Sequence, residues 1–339
     1  MDAFTCQNNH YVQQQLGETE MQQDCTECGS PAIVIPQKDQ QLSHSFVNDL
    51  DRCERYAYFR RFLHLHPKKE YTIAINAGSL WHIAMRAWHS TKGSKDTRID
   101  AAKSAVLSNI DQYPDFPYFP NDEKGYSDVR SVDHLFHTLD LYVKHYGEFD
   151  DFSVTELEGV RTNEIKSHTL IEVEKKQIIH TSVIDQIGIM KDGQYCVVDF
   201  KSTRMLTQGS LAAHRMSHQF TGYLYAVREL TGIPVTRVIV DIIGWFKHVD
   251  PIKHFVRVFT TRTPQQIEDW KHQMVRRWER WEHLKSTEEW DQKTSSCGMW
   301  NQQCPYMGPC ASWKGEMMHA MLRSDYKVKM DQKEETEED

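Results

Sequence analysis

No run of apolar residues approaches the roughly 20 that a membrane helix requires. With 39% hydrophobic residues and a mean hydropathy of −0.64, the chain excludes a membrane-spanning reading. Residues 1–6 offer neither a basic start nor an apolar stretch, so no secretory signal is expected, and the expected compartment is cytoplasmic and reducing. Cysteine is sparse, eight in 339 residues, and it is clustered instead of spread, which excludes a disulfide scaffold. No Gly-Lys dipeptide occurs, so there is no Walker A phosphate loop and no built-in motor for unwinding nucleic acid. No internal repeat is visible. A dominant charge is also missing: 40 Lys+Arg against 48 Asp+Glu gives −8, and residues 331–339 hold six acids and one lysine, −5 of that total. The remaining chain is nearly neutral, which leaves nucleic-acid binding open, because counterion release depends on a local basic patch.

What is present divides the chain in three: a polar, Gln-rich segment 1–36, a large domain over 42–325, and an acidic tail 326–339 expected to be disordered. Helical spacing runs through Phe46, Leu50, Tyr58 and Phe62 after a possible Ser43 or Ser45 cap, and a second helix is expected from Gly78 to about Thr91. Residues 111–127 carry three prolines and five large aromatics, the signature of a loop or lid, with Tyr113, Phe116, Tyr118 and Phe119 as latch or stacking residues. After a helix near 130–147, Val-, Ile- and Thr-rich stretches around 154–163, 168–174, 179–190 and 194–201 read as strands. A helix over 211–230, a buried strand over 237–246, an edge strand over 254–261 and a long helix opened by Pro264 follow. The fold class is α/β, a mixed central sheet flanked by helices.

Asp199 and Lys201 are two apart on a strand and leave the same face, with Asp185 on the preceding strand beyond an Asp192-Gly193 turn. Converging carboxylates suit a hard divalent ion, and a neighbouring lysine can orient or deprotonate a metal-bound water. Register decides whether they meet. A two-residue loop would set Asp185 opposite Phe200, whereas Lys191-Asp192-Gly193 as a three-residue loop sets it opposite Asp199.

These residues resemble the PD-(D/E)XK nucleases, in the RecB-like branch that includes the AddB nuclease and the CRISPR-associated adaptation nucleases. Gly78-Ser79-Leu80-Trp81-His82 is similar to the branch's Gly-x-x-x-His, and Asp185, Asp199 and Lys201 to its Asp and D-x-K pair. Glu156 or Glu158 falls where an acidic residue on the first core strand is expected, and Gln219 to Tyr223 matches Gln-x-x-x-Tyr. The resemblance spans residues 42–312 and implies a Mg2+- or Mn2+-dependent deoxyribonuclease, an exonuclease or end-processing enzyme, with His82, Asp185, Asp199 and one glutamate as metal ligands. Gln219 and Tyr223 join Lys201 as further catalytic residues. DNA is the implied partner, with any helicase or recombination protein a separate chain. A catalytically idle DNA-binding or decoy module and a restriction-type endonuclease are the competing readings.

In the iron-sulfur members of the branch, one cysteine before the Gly-x-x-x-His motif joins three near the C-terminus around a [4Fe-4S] cluster. Cys53, Cys297, Cys304 and Cys310 stand in those places, although six residues separate Cys297 from Cys304 where the branch usually has two. Four cysteines would also hold zinc, the alternative to the favoured iron-sulfur cluster. Cys6, His10, Cys25 and Cys28 have the spacing of a separate Zn2+ knuckle. Arg276, Arg277, Arg280 and Lys271, with Arg60, Arg61, Lys68 and Lys69, are candidate backbone contacts, while the tryptophans of the long helix are expected in the core. Cys196 is expected as a small buried hydrophobe.

Overall fold

The structure, a computed structural model, describes residues 2–6, 11–14, 22–24, 31–35, 41–68, 72–120, 128–147, 151–154, 162–204, 206–246, 254–299 and 302–328. The first four strands, β1 (Asp2–Cys6), β2 (Tyr11–Gln14), β3 (Gln22–Asp24) and β4 (Pro31–Ile35), form an antiparallel sheet in the order β2-β1-β4-β3. Cys6 ends β1, while His10, Cys25 and Cys28 of the expected zinc knuckle lie outside the described residues, as do Glu156 and Glu158.

After β5 (Gln41–Ser43) the chain enters α1 (His44–Arg52), where the Ser43 hydroxyl accepts from the Phe46 N–H at 3.2 Å. This is the anticipated cap. The helix does not run through to Phe62 as the spacing suggests. Cys53 is extended (φ −172°, ψ 132°), α2 (Glu54–Ala57) restarts, and a π turn over Tyr58–Phe62 leads to β6 (Leu65–Pro67). Three helices follow, α3 (Ile73–Ser90), α4 (Lys95–Asn109) and α5 (Val132–Tyr146).

The central sheet is built from β7 (Phe152–Val154), β8 (Asn163–Val173), β9 (Lys176–Met190), β10 (Tyr195–Thr203), β11 (Arg237–Gly244) and β12 (Phe255–Thr261), with β5 added. Its path is β12-β11-β10-β9-β5, and β7 and β8 also pair with β9. β10 runs parallel to β11, and β5 to β9; the other pairings are antiparallel, so the sheet is mixed. The helix expected over 211–230 is two, α6 (Gln208–Met216) and α7 (His218–Thr231), parted at Ser217. Pro264 opens α8 (Pro264–Thr287), capped by Thr263.

Side-chain alternation on β10 distributes two cores. Cys196, Val198 and Phe200 pack with α3, α4 and α5 on one face, and Val197 packs with α7 and α8 on the other. Trp270 and Trp281 of α8 are buried, as anticipated. Cys196 is fully buried and burial pushes its thiol up to about 12, the behaviour of an inert hydrophobe.

The last described elements are a hairpin of β13 (Gly298–Met299) and β14 (Gln302–Gln303), the short α9 (Met307–Ala311), α10 (Glu316–Asp325) and β15 (Tyr326–Val328). β15 pairs antiparallel with β6, Tyr326 opposite Pro67. Order therefore extends into the segment expected to be a disordered tail. Residues 329–339 lie outside the described residues.

Candidate active site

The turn between β9 and β10 is the three-residue one. Met190 N–H donates to Gln194 O at 2.9 Å and Gly193, at φ +80°, closes it with a 2.9 Å bond to Met190 O. The ladder that follows pairs Tyr195 with Ile189 and continues to Val198 with Gln186. One step further in the same register, beyond the last ladder pair, Asp185 comes to the level of Asp199. The strands remain linked there through a side chain, because the Asp185 carboxylate accepts from the Phe200 N–H at 2.8 Å.

Asp199 is fully buried, and Lys201 Nζ lies 2.8 Å from both of its oxygens. Lys201 hydrogen-bonds Oδ1, whereas Oδ2 is buried without a hydrogen bond of its own. Desolvation drives the Asp199 carboxyl up to about 6, opposed by the Lys201 charge and reinforced by that of Asp185. For Asp185 burial also pushes upward, but the His82 hydrogen bond and the charges of His82 and Lys201 outweigh it, and its pKa falls below the ordinary value. The pair is thus split, one carboxyl held ionised and the other held back. Burial alone would lower the Lys201 pKa. Asp199 and Asp185 hold the proton on, so the ammonium persists above its usual range.

His82 comes from α3, its Nδ1 3.2 Å from Asp185 Oδ2. One turn earlier Gly78 brings the helix against β10, where an added Cβ would stand 3.6 Å from Ser202 Oγ. On the opposite face, α7 presents Gln219, whose amide donates to the Tyr223 hydroxyl at 2.6 Å. Burial and then the negative charges of Asp199 and Asp185 raise the Tyr223 pKa well above its ordinary value, so the hydroxyl keeps its proton. Gly222 permits this approach: a Cβ there would fall 2.7 Å from His180 Cε1 and 3.0 Å from Trp270.

The expected convergence of His82, Asp185 and Asp199 on one point is pairwise instead: His82 engages Asp185, and Lys201 engages Asp199. Among the described residues, no group of three His, Cys, Asp or Glu side chains is arranged to hold a metal ion as it stands. The donor types nonetheless suit a hard divalent cation: the neighbouring carboxylates of Asp185 and Asp199, the latter ion-paired to Lys201 at 2.8 Å, with the His82 imidazole at the rim. Two histidines that no sequence signal marks also border the site. Burial and the Lys201 charge lower both His44, to about 4, and His214.

The basic residues expected to track a nucleic-acid backbone are mostly spent within the fold. Arg277 binds Asp51 at 2.8 Å and Arg280 binds Glu54 at 2.8 Å, fastening α8 to α1 and α2; Lys271 pairs with Glu268 at 3.0 Å. Arg61 pairs with Asp49 at 2.7 Å, Arg60 donates to His66 at 2.6 Å, and Lys68 donates to Ser324 O at 2.7 Å. Arg276 is exposed, and Lys69 lies outside the described residues. In the proline-rich loop Phe116 is buried as a latch, while Tyr118 (53%) and Phe119 (74%) are exposed.

Cys53, Cys297, Cys304 and Cys310 line one cavity of about 70 Å³, together with Tyr56, Phe59 and Tyr306. The long gap between Cys297 and Cys304 is taken up by the β13–β14 hairpin, and Cys304 N–H donates to Cys297 O at 2.7 Å. Arg55 Nη1 lies 3.7 Å from Cys310 Sγ, and the Lys293 N–H donates to Cys53 Sγ at 3.4 Å.

A family model for the PD-(D/E)XK nuclease superfamily matches residues 41–311, and the chain belongs to that superfamily, whose members are generally nucleases using Mg2+ or Mn2+. Among solved structures, that of SSO0001 is similar at 17% identity, covering 62% of this chain and 78% of that one with a TM-score of 0.26. No match was found among curated proteins. Among the described residues, no helix is long and apolar enough to cross a membrane.

Proposed function

We propose that the chain is a Mg2+- or Mn2+-dependent deoxyribonuclease of the RecB-like, AddB-like branch, an exonuclease or end-processing enzyme working in a reducing cytoplasm. The observation that carries this reading is the buried Asp199 facing Asp185, with Lys201 on one carboxylate and His82 on the other. A divalent cation, when bound, supplies Lewis acidity at the phosphodiester and makes a bound water nucleophilic near neutral pH. Asp185, Asp199 and His82 are its ligands on this reading, joined by Glu156 or Glu158.

Lys201, kept protonated by its two acidic neighbours, orients the attacking water by donating hydrogen bonds and is not its base. Tyr223, equally kept protonated and braced by Gln219, donates to a phosphoryl oxygen as negative charge develops there. The thiols of Cys53, Cys297, Cys304 and Cys310 hold a structural [4Fe-4S] cluster, a reading supported by their sharing one cavity. Unwinding falls to a helicase or recombination partner, since the chain lacks a Walker A loop.

The test is cleavage of 5′- and 3′-labelled single strands, duplexes and closed circles with Mg2+ or Mn2+. Degradation from ends, sparing circles, is expected. Binding of every substrate with cleavage of none would turn the chain into an idle DNA-binding module, and cutting of circles into discrete fragments would make it an endonuclease.

A further inference from the structure

Arg262 follows β12 at the edge of the sheet and is only 7% exposed. All five of its guanidinium hydrogen bonds end on neutral oxygens. Nε donates to Thr221 Oγ1 at 2.9 Å; Nη1 donates to Thr260 Oγ1 and Thr261 O, each at 2.8 Å; Nη2 donates to Arg215 O at 2.8 Å and Ser217 O at 3.2 Å. Five bonds exhaust the donors of an arginine.

A buried cation satisfied only by neutral groups is a costly way to fill space, and an apolar side chain would do so more cheaply. Its acceptors show what the charge is for. Arg215 O belongs to the last turn of α6, where carbonyls lack helical partners and the helix dipole favours a cation. Ser217 caps α7, its hydroxyl accepting from the Gln219 N–H. Thr221 lies on α7 midway between Gln219 and Tyr223. The remaining two acceptors sit on the sheet edge. One rigid fork therefore joins the sheet that carries Asp199 and Lys201 to the break from which α7 starts.

We propose that Arg262 is a positioning residue: it fixes where α7 begins, and through that the placing of Gln219 and Tyr223 beside the catalytic carboxylates. The proposal rests on the reading of Gln219 and Tyr223 as site residues.

The experiment uses the full chain with Arg262→Met and Arg262→Lys, each alone and combined with Gln219→Ala. In metal-dependent cleavage of a labelled oligonucleotide, Arg262→Met should lower kcat by about 10²-fold with KM nearly unchanged, the scale of a misplaced reacting group. Arg262→Lys, which keeps the charge but lacks the fork, should recover only part of the loss and carries the test should the methionine variant not fold. Adding Gln219→Ala should then cost little more, because the residues act as one unit. A wild-type kcat with only a lower melting temperature would make Arg262 mere scaffold. Losses that multiply independently would equally overturn the proposal. Should the wild-type chain cleave no DNA, the nuclease reading fails on its own, and hydrogen exchange decides this one. Amides of residues 217–221 exchanging at least about tenfold faster in the variant, with β10 unaffected, support the positioning role; unchanged amides refute it.

Discussion

At the β9–β10 pair the candidate site residues are placed by backbone register: a three-residue turn counts the strands into alignment, and the ladder that ends at Val198 and Gln186 carries Asp185 to the level of Asp199. Around the cysteine cavity register accounts for Cys297 and Cys304, at the base of the β13–β14 hairpin, and not for Cys53 or Cys310. There, Glu54 accepts from Asp291 N–H at 3.0 Å, Ser296 donates to Arg52 O at 2.6 Å, and Tyr306 donates to Leu65 O at 2.5 Å, joining stretches more than two hundred residues apart. Phe59, Tyr306 and Tyr326 stack at centroid separations of 5.3 and 5.5 Å to fill the gap. The first region is rigid wherever its sheet is formed. The second depends on long-range closure, whose entropic cost a tie between the thiols would remove from the unfolded state.

The comparison breaks most sharply at Lys201. Lys201→Ala should reduce cleavage by about 10²–10⁴-fold while DNA binding and circular dichroism persist, since on the proposed reading the lysine serves chemistry and not closure. A wild-type rate would remove it from the site.

At the other region Cys53→Ser or Cys310→Ser should act on stability, by about 2–4 kcal/mol, the scale of a cross-link closing a long loop. Thermal unfolding with iron and zinc analysis measures it. Equal stability with and without bound metal would separate the cavity from any structural tie.

Within the sheet region, two glycines sharpen the contrast between tight and ordinary packing. Gly222→Ala forces a Cβ against His180 and Trp270 and should cost about 1–3 kcal/mol. Gly78→Ala meets Ser202 at ordinary contact distance and should be nearly neutral in the same denaturant titration.

The smallest effect is in pH. Asp199 has a folded pKa raised to about 6 from 3.8, so its contribution to stability is fully present below about 3.8 and is lost as pH rises through about 6. Asp185, shifted downward, does the reverse: its contribution is present above 3.8 and is lost as pH falls through its lowered value. Metal-free Asp199→Asn should therefore lose the decline in stability between about pH 4 and 6 that the wild-type chain shows in urea unfolding. In cleavage, which needs the cation, the acid limb should lie below pH 6, because a divalent ion bound to Asp199 would lower the pKa of that carboxyl. A flat profile there would show that its protonation is irrelevant to the rate.

Much of the sheet region was legible in the sequence. Val- and Ile-rich strands, the Asp192-Gly193 turn and the two-residue step from Asp199 to Lys201 are local signals, and the three-residue turn needed for the carboxylates to meet is the one found. What escaped was set by contacts distant in sequence. Helix α4 buries only Ala102 and Val106, so it carries no apolar stripe to announce it. The break at Ser217 is held by Arg262 from beyond β12, and the interruption at Cys53 by contacts to residues 291–293. Arg277 and Arg280 read as a surface for nucleic acid because the acids that claim them, Asp51 and Glu54, are 226 positions away in sequence. His44 and His214 draw their neighbourhood to Lys201 entirely from tertiary packing.

The β13–β14 hairpin bears on how such chains diverge. A hairpin returns the chain to its starting point, so the separation of its two ends does not depend on how many residue pairs lie between them. Cys297 and Cys304 are held together by a backbone hydrogen bond at the hairpin's base, and residues can be added or removed in pairs at its tip without moving either thiol. The number of residues between these two cysteines is thus free to drift while the geometry stays fixed. A pattern defined by a fixed cysteine spacing would pass over chains that one defined by the closing bond would recover.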